Sequence, residues 1–176
     1  MKIKVYAGIG SRETPPEARE LIHEFALELN KEGYTLRSGG APGADTYFEE
    51  VAIKKEIFLP WCGFNKRPGS RGEPPVTYIQ SPSDEAIEMA RKVIDRYDNR
   101  PHTARMLLAR NMHQVLGEDL ESPVEMVICW TKEGQVVGGT AHAIRLAKRH
   151  KIPVFNMARA NDVNMLRMML RQRELF

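Results

Sequence analysis

Two glycine-containing turns constrain this chain more than any other feature, because each stands where an apolar, strand-like segment gives way to a helix-like one. The first turn reads Gly8-Ile9-Gly10-Ser11-Arg12 and follows the apolar run 3–7. The second reads Ser38-Gly39-Gly40-Ala41-Pro42-Gly43-Ala44-Asp45 and follows 34–36. Glycine lets an anion come close to the backbone N–H groups at the positive end of a helix. The two turns therefore predict a phosphate-bearing ligand at the carboxyl edge of a parallel sheet.

Strand and helix patterns alternate along the chain, which predicts an α/β, Rossmann-like fold with a mostly parallel sheet and helices on both faces. The predicted strands are 2–7, 34–37, 56–59, 76–79, 124–130 and 152–155. The predicted helices are 15–31, 44–54, 84–97, 103–116, 139–150 and 162–172. A length of 176 residues suits one domain with a full core, so we expect a single domain over 1–176.

A segment rich in proline and glycine, 60–75, interrupts this rhythm and also carries Lys66, Arg67 and Arg71. Its composition predicts a loop. Loops of this length in a compact domain are usually functional or mobile, so the segment is a candidate for closing over a ligand.

Composition narrows the classes of function. The formal net charge of +3 permits a polyanionic partner without requiring one. Cys62 and Cys129 show no metal-type spacing, so we expect neither a metal site nor a structural disulfide. No apolar stretch approaches the ~20 residues of a membrane span, and the N-terminus runs into a strand without a signal-peptide pattern. We expect a cytoplasmic protein with no membrane association.

The first turn is not a dinucleotide fingerprint, because Glu13 occupies the position where G-x-G-x-x-G needs its third glycine. Ser11 can still donate a hydrogen bond to a phosphate, and Arg12 can supply the opposite charge. An ordinary strand–helix turn with an exposed arginine is the alternative interpretation. The agreement of the second turn favours the phosphate-binding interpretation.

The second turn leaves room for a ligand against bare backbone through Ser38, Gly39, Gly40 and Gly43. Asp45 opens the next helix, where it either caps free N–H groups or binds a ribose hydroxyl or acts as an acid or base. Glu49 lies four residues further on the same helix face. Such a carboxylate pair suits glycosidic-bond chemistry, and a solvated helix face is the simpler alternative.

A third turn, Gly138-Gly139-Thr140, follows the predicted strand 124–130 and precedes a helix, so it is another candidate phosphate site. His142, in the first turn of that helix, is either an ordinary exposed histidine or a catalytic one. Arg110-Asn111 lies inside a helix and means little alone.

Two further helices carry features that suit a partner. Cations at 145, 148, 149 and 151 either complement a helix C-terminus or form a nucleic-acid patch. Met165, Met168 and Met169 in the last helix suit the core or a second subunit.

Together these motifs resemble the SLOG superfamily of Rossmann-like nucleotide-binding proteins, which includes the DNA-processing protein A, LONELY GUY and YspA-like families. Gly10-Ser11-Arg12 resembles the G-S-R after the first strand of DNA-processing protein A, and 38–45 is similar to its S-G-x-A-x-G-I-D. Arg110-Asn111 resembles its later R-N pair, and Gly139-Thr140 its small-residue turn. The four motifs follow one another in the same order across nearly the whole chain. The chain as a whole most resembles short phage and bacterial proteins of the DNA-processing protein A kind.

The resemblance implies alternative activities. DNA-processing protein A proteins load a recombinase onto single-stranded DNA and are longer, which implies DNA binding here through Arg12, Lys66, Arg67 and the basic helix end. LONELY GUY proteins use P-G-G-x-G-T-x-x-E, but Ala143 stands where their glutamate falls. An N-glycosidase acting on nucleoside monophosphates would therefore depend on Asp45 or Glu49. Relatives in the superfamily commonly self-associate, which implies a homo-oligomer.

From these observations we expect a protein that binds a nucleotide or nucleotide-derived ligand, with no metal or cofactor required. The cradle would comprise Gly10, Ser11, Arg12, Ser38, Gly39, Gly40, Gly43, Gly138, Gly139 and Thr140. Arg110, beside Asn111, would neutralise the phosphate charge, as an arginine before the third motif does in the LONELY GUY family. Asp45 would bind sugar hydroxyls.

Overall fold

A computed structural model describes residues 4–173 and contains one six-stranded sheet in the order β4-β3-β2-β1-β5-β6. All five strand pairs are parallel. The strands are β1 (Val5–Gly10), β2 (Thr35–Ser38), β3 (Lys54–Leu59), β4 (Val76–Gln80), β5 (Met126–Trp130) and β6 (Val154–Asn156). Residues 2 and 3 of the first predicted strand lie outside the described residues.

The helices flank this sheet on both sides. They are α1 (Glu17–Lys31), α2 (Ala44–Val51), α3 (Asp84–Val93), α4 (His102–Leu116), α5 (Thr140–Arg149) and α6 (Ala160–Arg173). One core cluster contains Phe25 of α1, Phe48 of α2 and Leu166 of α6. The other contains residues of α3, α4 and α5, such as Met112 and Ile144. The predicted Rossmann-like α/β fold is therefore confirmed.

Alternation along β1 explains the two faces. Tyr6 packs in the first cluster, whereas Val5 and Ala7 pack in the second, since successive side chains of a strand point to opposite sides. Both faces of the central strand are consequently buried, each in one of the two core clusters, which accounts for its almost entirely apolar sequence.

The strand order reverses direction at β1. The chain runs outward through β2, β3 and β4, then returns across the sheet to place β5 on the other side of β1. In the paired register Gly10 lies beside Trp130, so both strands end at the same level. This reversal opens a crevice beyond the carboxyl ends of β1 and β5, where ligands of open α/β sheets bind.

Several element ends differ from the sequence predictions. The first strand was predicted to end at residue 7, but β1 continues to Gly10, so Gly8 and Gly10 of the predicted first turn lie in the strand. The second helix was predicted to reach residue 54, but it ends at Val51 because Ala52 is extended and β3 begins at Lys54. The third was predicted to reach residue 97, but Ile94 is extended and Arg96 adopts a left-handed conformation. The predicted start of β5 at residue 124 is also wrong, since the Val124 N–H bonds to the carbonyl of Val115 instead of a strand.

The loop 60–75 folds back onto the second glycine turn. It contains a short 3-10 helix, Phe64–Lys66. The Asn65 side-chain amide donates to the carbonyl of Gly40 at 2.8 Å, and Arg67 pairs with Glu49 of α2 at 3.1 Å. In the described part of the chain, no helix combines the length and apolar character needed to cross a membrane.

Candidate functional site

A cavity of about 530 Å³ opens beyond the carboxyl ends of β1 and β5. Nine of the predicted ligand-binding residues line it: Gly10, Ser11, Arg12, Asp45, Arg110, Asn111, Gly138, Gly139 and Thr140. Segments from β1, α2, α4 and α5 therefore converge on one space at the point where the strand order reverses. Its volume lies within the range of small-molecule sites.

The first turn is fixed by backbone hydrogen bonds. The Ser11 N–H donates to the carbonyl of Trp130 at 3.0 Å, which ties the turn to the end of β5. The Ser11 carbonyl in turn accepts from Thr14 and Ala44. The Ser11 hydroxyl accepts from the Glu13 N–H at 3.0 Å and donates to no group among residues 4–173. Its hydrogen is therefore available to a ligand.

Asp45 joins the first two turns through both oxygens of its carboxylate. Oδ1 accepts from the Gly10 N–H at 3.2 Å, and Oδ2 accepts from Gly39 at 3.1 Å and Ala41 at 3.4 Å. The carboxylate is 3% exposed. Burial raises the pKa of Asp45 to about 6, against the opposing effect of the Arg110 charge and the backbone N–H groups.

Arg110 crosses behind the second turn from α4. Its Nη1 donates to the carbonyl of Gly39 and, at 3.0 Å, to that of Phe58. Burial lowers the pKa of Arg110 to about 10, and Asp45 opposes that shift. The guanidinium remains charged at neutral pH and places a buried positive charge at the cavity wall. Its neighbour Asn111 donates to the carbonyl of Gly139 at 3.1 Å and so anchors the third turn.

The remaining predicted residues of the second turn lie behind the cavity wall, not among its lining residues. Gly43 has a φ of +81°, and an added Cβ would stand 2.4 Å from the Ser11 carbonyl oxygen. At Gly39 an added Cβ would meet Arg110 Nη1 at 2.2 Å. The Ser38 hydroxyl donates to the carbonyl of Gly8 at 2.6 Å. In this structure these small residues allow the first turn and Arg110 to pack closely against the second turn.

The third turn has open space around it. Gly138 has a φ of +70°, and a Cβ added at Gly138 or Gly139 would meet nothing within 4 Å. Thr140 begins α5 and also lines the cavity. Bare backbone at the start of a ten-residue helix can therefore face an anion there.

Two exposed cations stand at the cavity. Arg12 and Lys132 both line it, and neither forms an ion pair with any residue that the structure describes. Lys132 was not predicted, although its position two residues beyond the end of β5 was a usable signal. Glu13, Leu107, Leu108, Gln114 and Val137 also line the cavity, and no sequence motif had indicated them.

Two other residues singled out in the sequence lie elsewhere. The Glu49 carboxylate contacts Arg67, with Oε2 at 3.1 Å from Nε and Oε1 at 3.2 Å from Nη2, and does not line the cavity. Burial raises its pKa, and Arg67 opposes the shift. His142 lines a neighbouring groove. Within residues 4–173, no cluster of three or more His, Cys, Asp or Glu side chains is arranged to hold a metal ion.

No protein-family model and no curated protein matches the sequence. Among solved structures, the fold is similar to DNA processing protein A from Helicobacter pylori, a structure described for its single-stranded DNA binding mode. That similarity has a TM-score of 0.57 at 20% identity and covers 97% of this chain and 81% of the other.

Two further solved structures show lower similarity to the chain. DNA processing protein A from Streptococcus pneumoniae gives a TM-score of 0.50 at 14% identity and covers 95% of this chain and 56% of the other. The molybdenum cofactor carrier protein of Chlamydomonas reinhardtii gives 0.48 at 16% identity, with coverage of 89% and 76%. At such identities the likeness establishes the fold. The chain is an α/β protein whose all-parallel Rossmann-like sheet carries a cavity at its switch point.

Proposed function

We propose that this protein belongs to the SLOG superfamily and binds a nucleotide or nucleotide-derived ligand in the cavity beyond the carboxyl ends of β1 and β5. One observation carries the proposal: Arg12 and Lys132 line this cavity without any ion pair among the described residues, beside the open turn Gly138-Gly139. Unpaired cations next to bare backbone N–H groups are what a phosphate needs from a protein.

The cavity offers both ends of a nucleotide a suitable surface. The phosphate lies at the start of α5, between the two cations and within reach of the Ser11 hydroxyl. Leu107, Leu108 and Val137 supply apolar surface for a base, and Val137 is 52% exposed. Arg110 adds positive charge at the wall, where its Nη1 already donates to the carbonyls of Gly39 and Phe58. Asp45 holds the turns in place through its three backbone hydrogen bonds.

The test is a thermal-shift screen with mono-, di- and cyclic nucleotides, followed by calorimetric titration of the ligands that stabilise the protein. Arg12→Gln and Lys132→Gln should each weaken binding by about tenfold without changing the melting temperature of the free protein. Arg171→Gln, at an exposed position of α6 outside the cavity, is the charge-matched control. Failure of every nucleotide to stabilise the wild type, or equal effects of all three substitutions, contradicts the proposal.

A second candidate function is hydrolysis of the N-glycosidic bond of a nucleoside monophosphate. Its support is the carboxyl of Asp45, which lines the cavity with a pKa raised to about 6, as a general acid near neutral pH requires. Chromatography of each nucleotide mixture for released base tests this. If Asp45→Asn abolishes base release, the hydrolase is supported. If only Glu49→Gln abolishes base release, Asp45 takes no part in the reaction. Stabilisation without base release leaves binding as the function.

A third candidate is binding of single-stranded DNA, the ligand for which the Helicobacter pylori structure is described. In this chain its support is the unpaired charge of Arg12 and Lys132 at an open cavity. Affinity for a thymidine oligonucleotide should then fall steeply as salt rises, because each phosphate contact releases counterions. Binding that ignores salt excludes this candidate.

Self-association through α6 is also part of the proposal. Met165 and Met168 are 59% and 62% exposed on this helix, whereas Met169 packs against the core. Two exposed methionines on one helix suit an adaptable contact with a second copy. Light scattering after gel filtration should show a dimer or larger species, and Met165→Gln with Met168→Gln should dissociate it. A monomeric wild-type protein would exclude this part.

A further inference from the structure

A second groove, of about 570 Å³, continues from the nucleotide cavity past the third turn. The two spaces share five lining residues: Leu107, Leu108, Val137, Gly138 and Gly139. At Gly138 and Gly139 no side chain stands between the two spaces, and a Cβ added there would meet nothing within 4 Å. A ligand longer than one nucleotide can therefore pass from one to the other.

The far end of this groove is basic. Arg100, His142 and Arg145 line it, and the same three residues line a further recess of about 300 Å³ that Arg149 joins. In the part of the chain that the structure describes, none of the three arginines forms an ion pair. The one carboxylate in the recess, Asp95, is 3.8 Å from Arg96 instead.

The positive charges of Arg100 and Arg145 lie close to His142 and are not neutralised by an ion pair among the described residues. The Nε of Arg100 is buried and has no hydrogen-bond partner, and its Nη2 makes one weak contact, at 3.4 Å, with the carbonyl of Asp95. Burial lowers the pKa of His142, and the nearby charges of Arg100 and Arg145 lower it further. Like charges brought together beside an unsatisfied donor are stabilised when an anion enters.

We propose that Arg100, His142 and Arg145 form a second phosphate subsite, so that the ligand carries two phosphates joined through a nucleoside portion. This inference rests on the proposed nucleotide function. The first phosphate occupies the cradle at Arg12 and Lys132, and the intervening sugar and base lie against Leu107 and Val137. The second phosphate then reaches the basic groove. Both a free dinucleotide and two adjacent nucleotides of a strand have this chemistry.

The experiment compares thymidine 5′-monophosphate with 5′-phosphorylated thymidine dinucleotide by isothermal titration calorimetry. The wild type should bind the dinucleotide at least about tenfold more tightly. Arg145→Gln should remove that advantage and leave the monophosphate affinity unchanged, and Arg100→Gln should do the same. Arg145 is exposed, so its replacement leaves the fold intact even if Arg100→Gln does not. Lys148→Gln, on the same helix but outside both grooves, should change neither affinity.

Equal affinity for the two ligands, or an equal loss of both in Arg145→Gln, overturns the second subsite while monophosphate binding stands. If the wild type binds neither the monophosphate nor the dinucleotide, the proposed function itself is overturned. A longer thymidine oligonucleotide separates the two sources of such a ligand. Binding no tighter than that of the dinucleotide identifies a small dinucleotide, whereas tighter binding with a steeper salt dependence identifies a strand.

Discussion

Arg110 and Gly39 lie 71 residues apart in the chain, yet a guanidinium N–H of Arg110 donates directly to the Gly39 carbonyl. The contact is possible because Gly39 has no side chain: an added Cβ would overlap Arg110 Nη1 and Gln114 Nε2. Through this contact α4 supports the turn that follows β2. The Gly39 N–H of this turn donates to the Asp45 carboxylate, which also accepts from Gly10 at the end of β1.

Gly39→Ala should destabilise the protein by roughly 1 to 3 kcal/mol, the usual cost of an overpacked buried site, because the new methyl group must displace Arg110 or Gln114. Gly139→Ala is the matched control, since its methyl group enters open space, and the free energy of unfolding should change by less than about 0.5 kcal/mol. Urea denaturation measures both. The same Gly139→Ala protein should nevertheless bind nucleotide more weakly, because its methyl group occupies the third turn of the cradle.

Arg110→Met should cost about 1 to 3 kcal/mol of unfolding free energy. The methionine fills much of the same space but leaves the buried carbonyls of Gly39 and Phe58 without this donor. Urea denaturation again gives the value. A loss below about 0.5 kcal/mol would show that neither carbonyl depends on Arg110.

The two glutamate–arginine pairs of the loop region provide a matched comparison. Arg67→Gln should destabilise by on the order of 2 to 3 kcal/mol, because it leaves the buried carboxylate of Glu49 without its partner. Arg71→Gln breaks the pair with Glu118, whose side chains are both more than half exposed, and should cost less than about 1 kcal/mol. Similar losses in chemical denaturation would refute the claim that the Glu49 pair anchors the loop.

The pH dependence of stability should carry the signature of Asp45. Its pKa is raised by burial from 3.8 to about 6, so between these values the native state holds a proton that the unfolded state has released. The free energy of unfolding contributed by this group is complete below pH 3.8 and is lost as the pH rises through 6. In Asp45→Asn this decline should be absent.

His113 contributes with the opposite sign. Burial lowers the pKa of this histidine, whose ring accepts from the Ser83 N–H at 3.1 Å, so its contribution is present above 6.5 and is lost as the pH falls. Urea denaturation at a series of pH values gives the unfolding free energy of the wild type and of Asp45→Asn. The difference between the two at each pH cancels the His113 contribution. A difference that stays flat between pH 4 and 6 would contradict the assignment of the raised pKa to Asp45.

Local sequence patterns were sufficient for the fold. Apolar runs, glycine turns and amphipathic spacing predicted the six strands and six α-helices of the described chain, because each element is specified mainly by its own residues. The errors lie at element ends. At Arg96, for example, a left-handed conformation stops the helical pattern, and no glycine or proline marks the place.

The site could be predicted only in part, since several of its properties depend on contacts between distant segments. Ser11, Arg12 and Thr140 lie at strand–helix turns and line the cavity as expected. Glu49 shares a helix face with Asp45, as its spacing predicted, but the returning loop supplies Arg67 and covers it. Gln114 reaches the cavity from the last turn of α4, and nothing in its immediate sequence indicates this.

The third turn belongs to a segment that is held at both ends by hydrogen bonds or a helix and is mostly exposed between them. At one end the buried Thr131 exchanges hydrogen bonds with Asn156, at 3.3 and 2.6 Å, and at the other Thr140 begins α5. Between them most residues are exposed, and an added side chain at Gly138 or Gly139 meets nothing. The exposed positions of residues 132–139 can therefore be substituted to change which molecule the cavity accepts. Buried Gly134, the core contact of Val136 and the hydrogen bond from Asn111 to Gly139 keep the segment in place meanwhile.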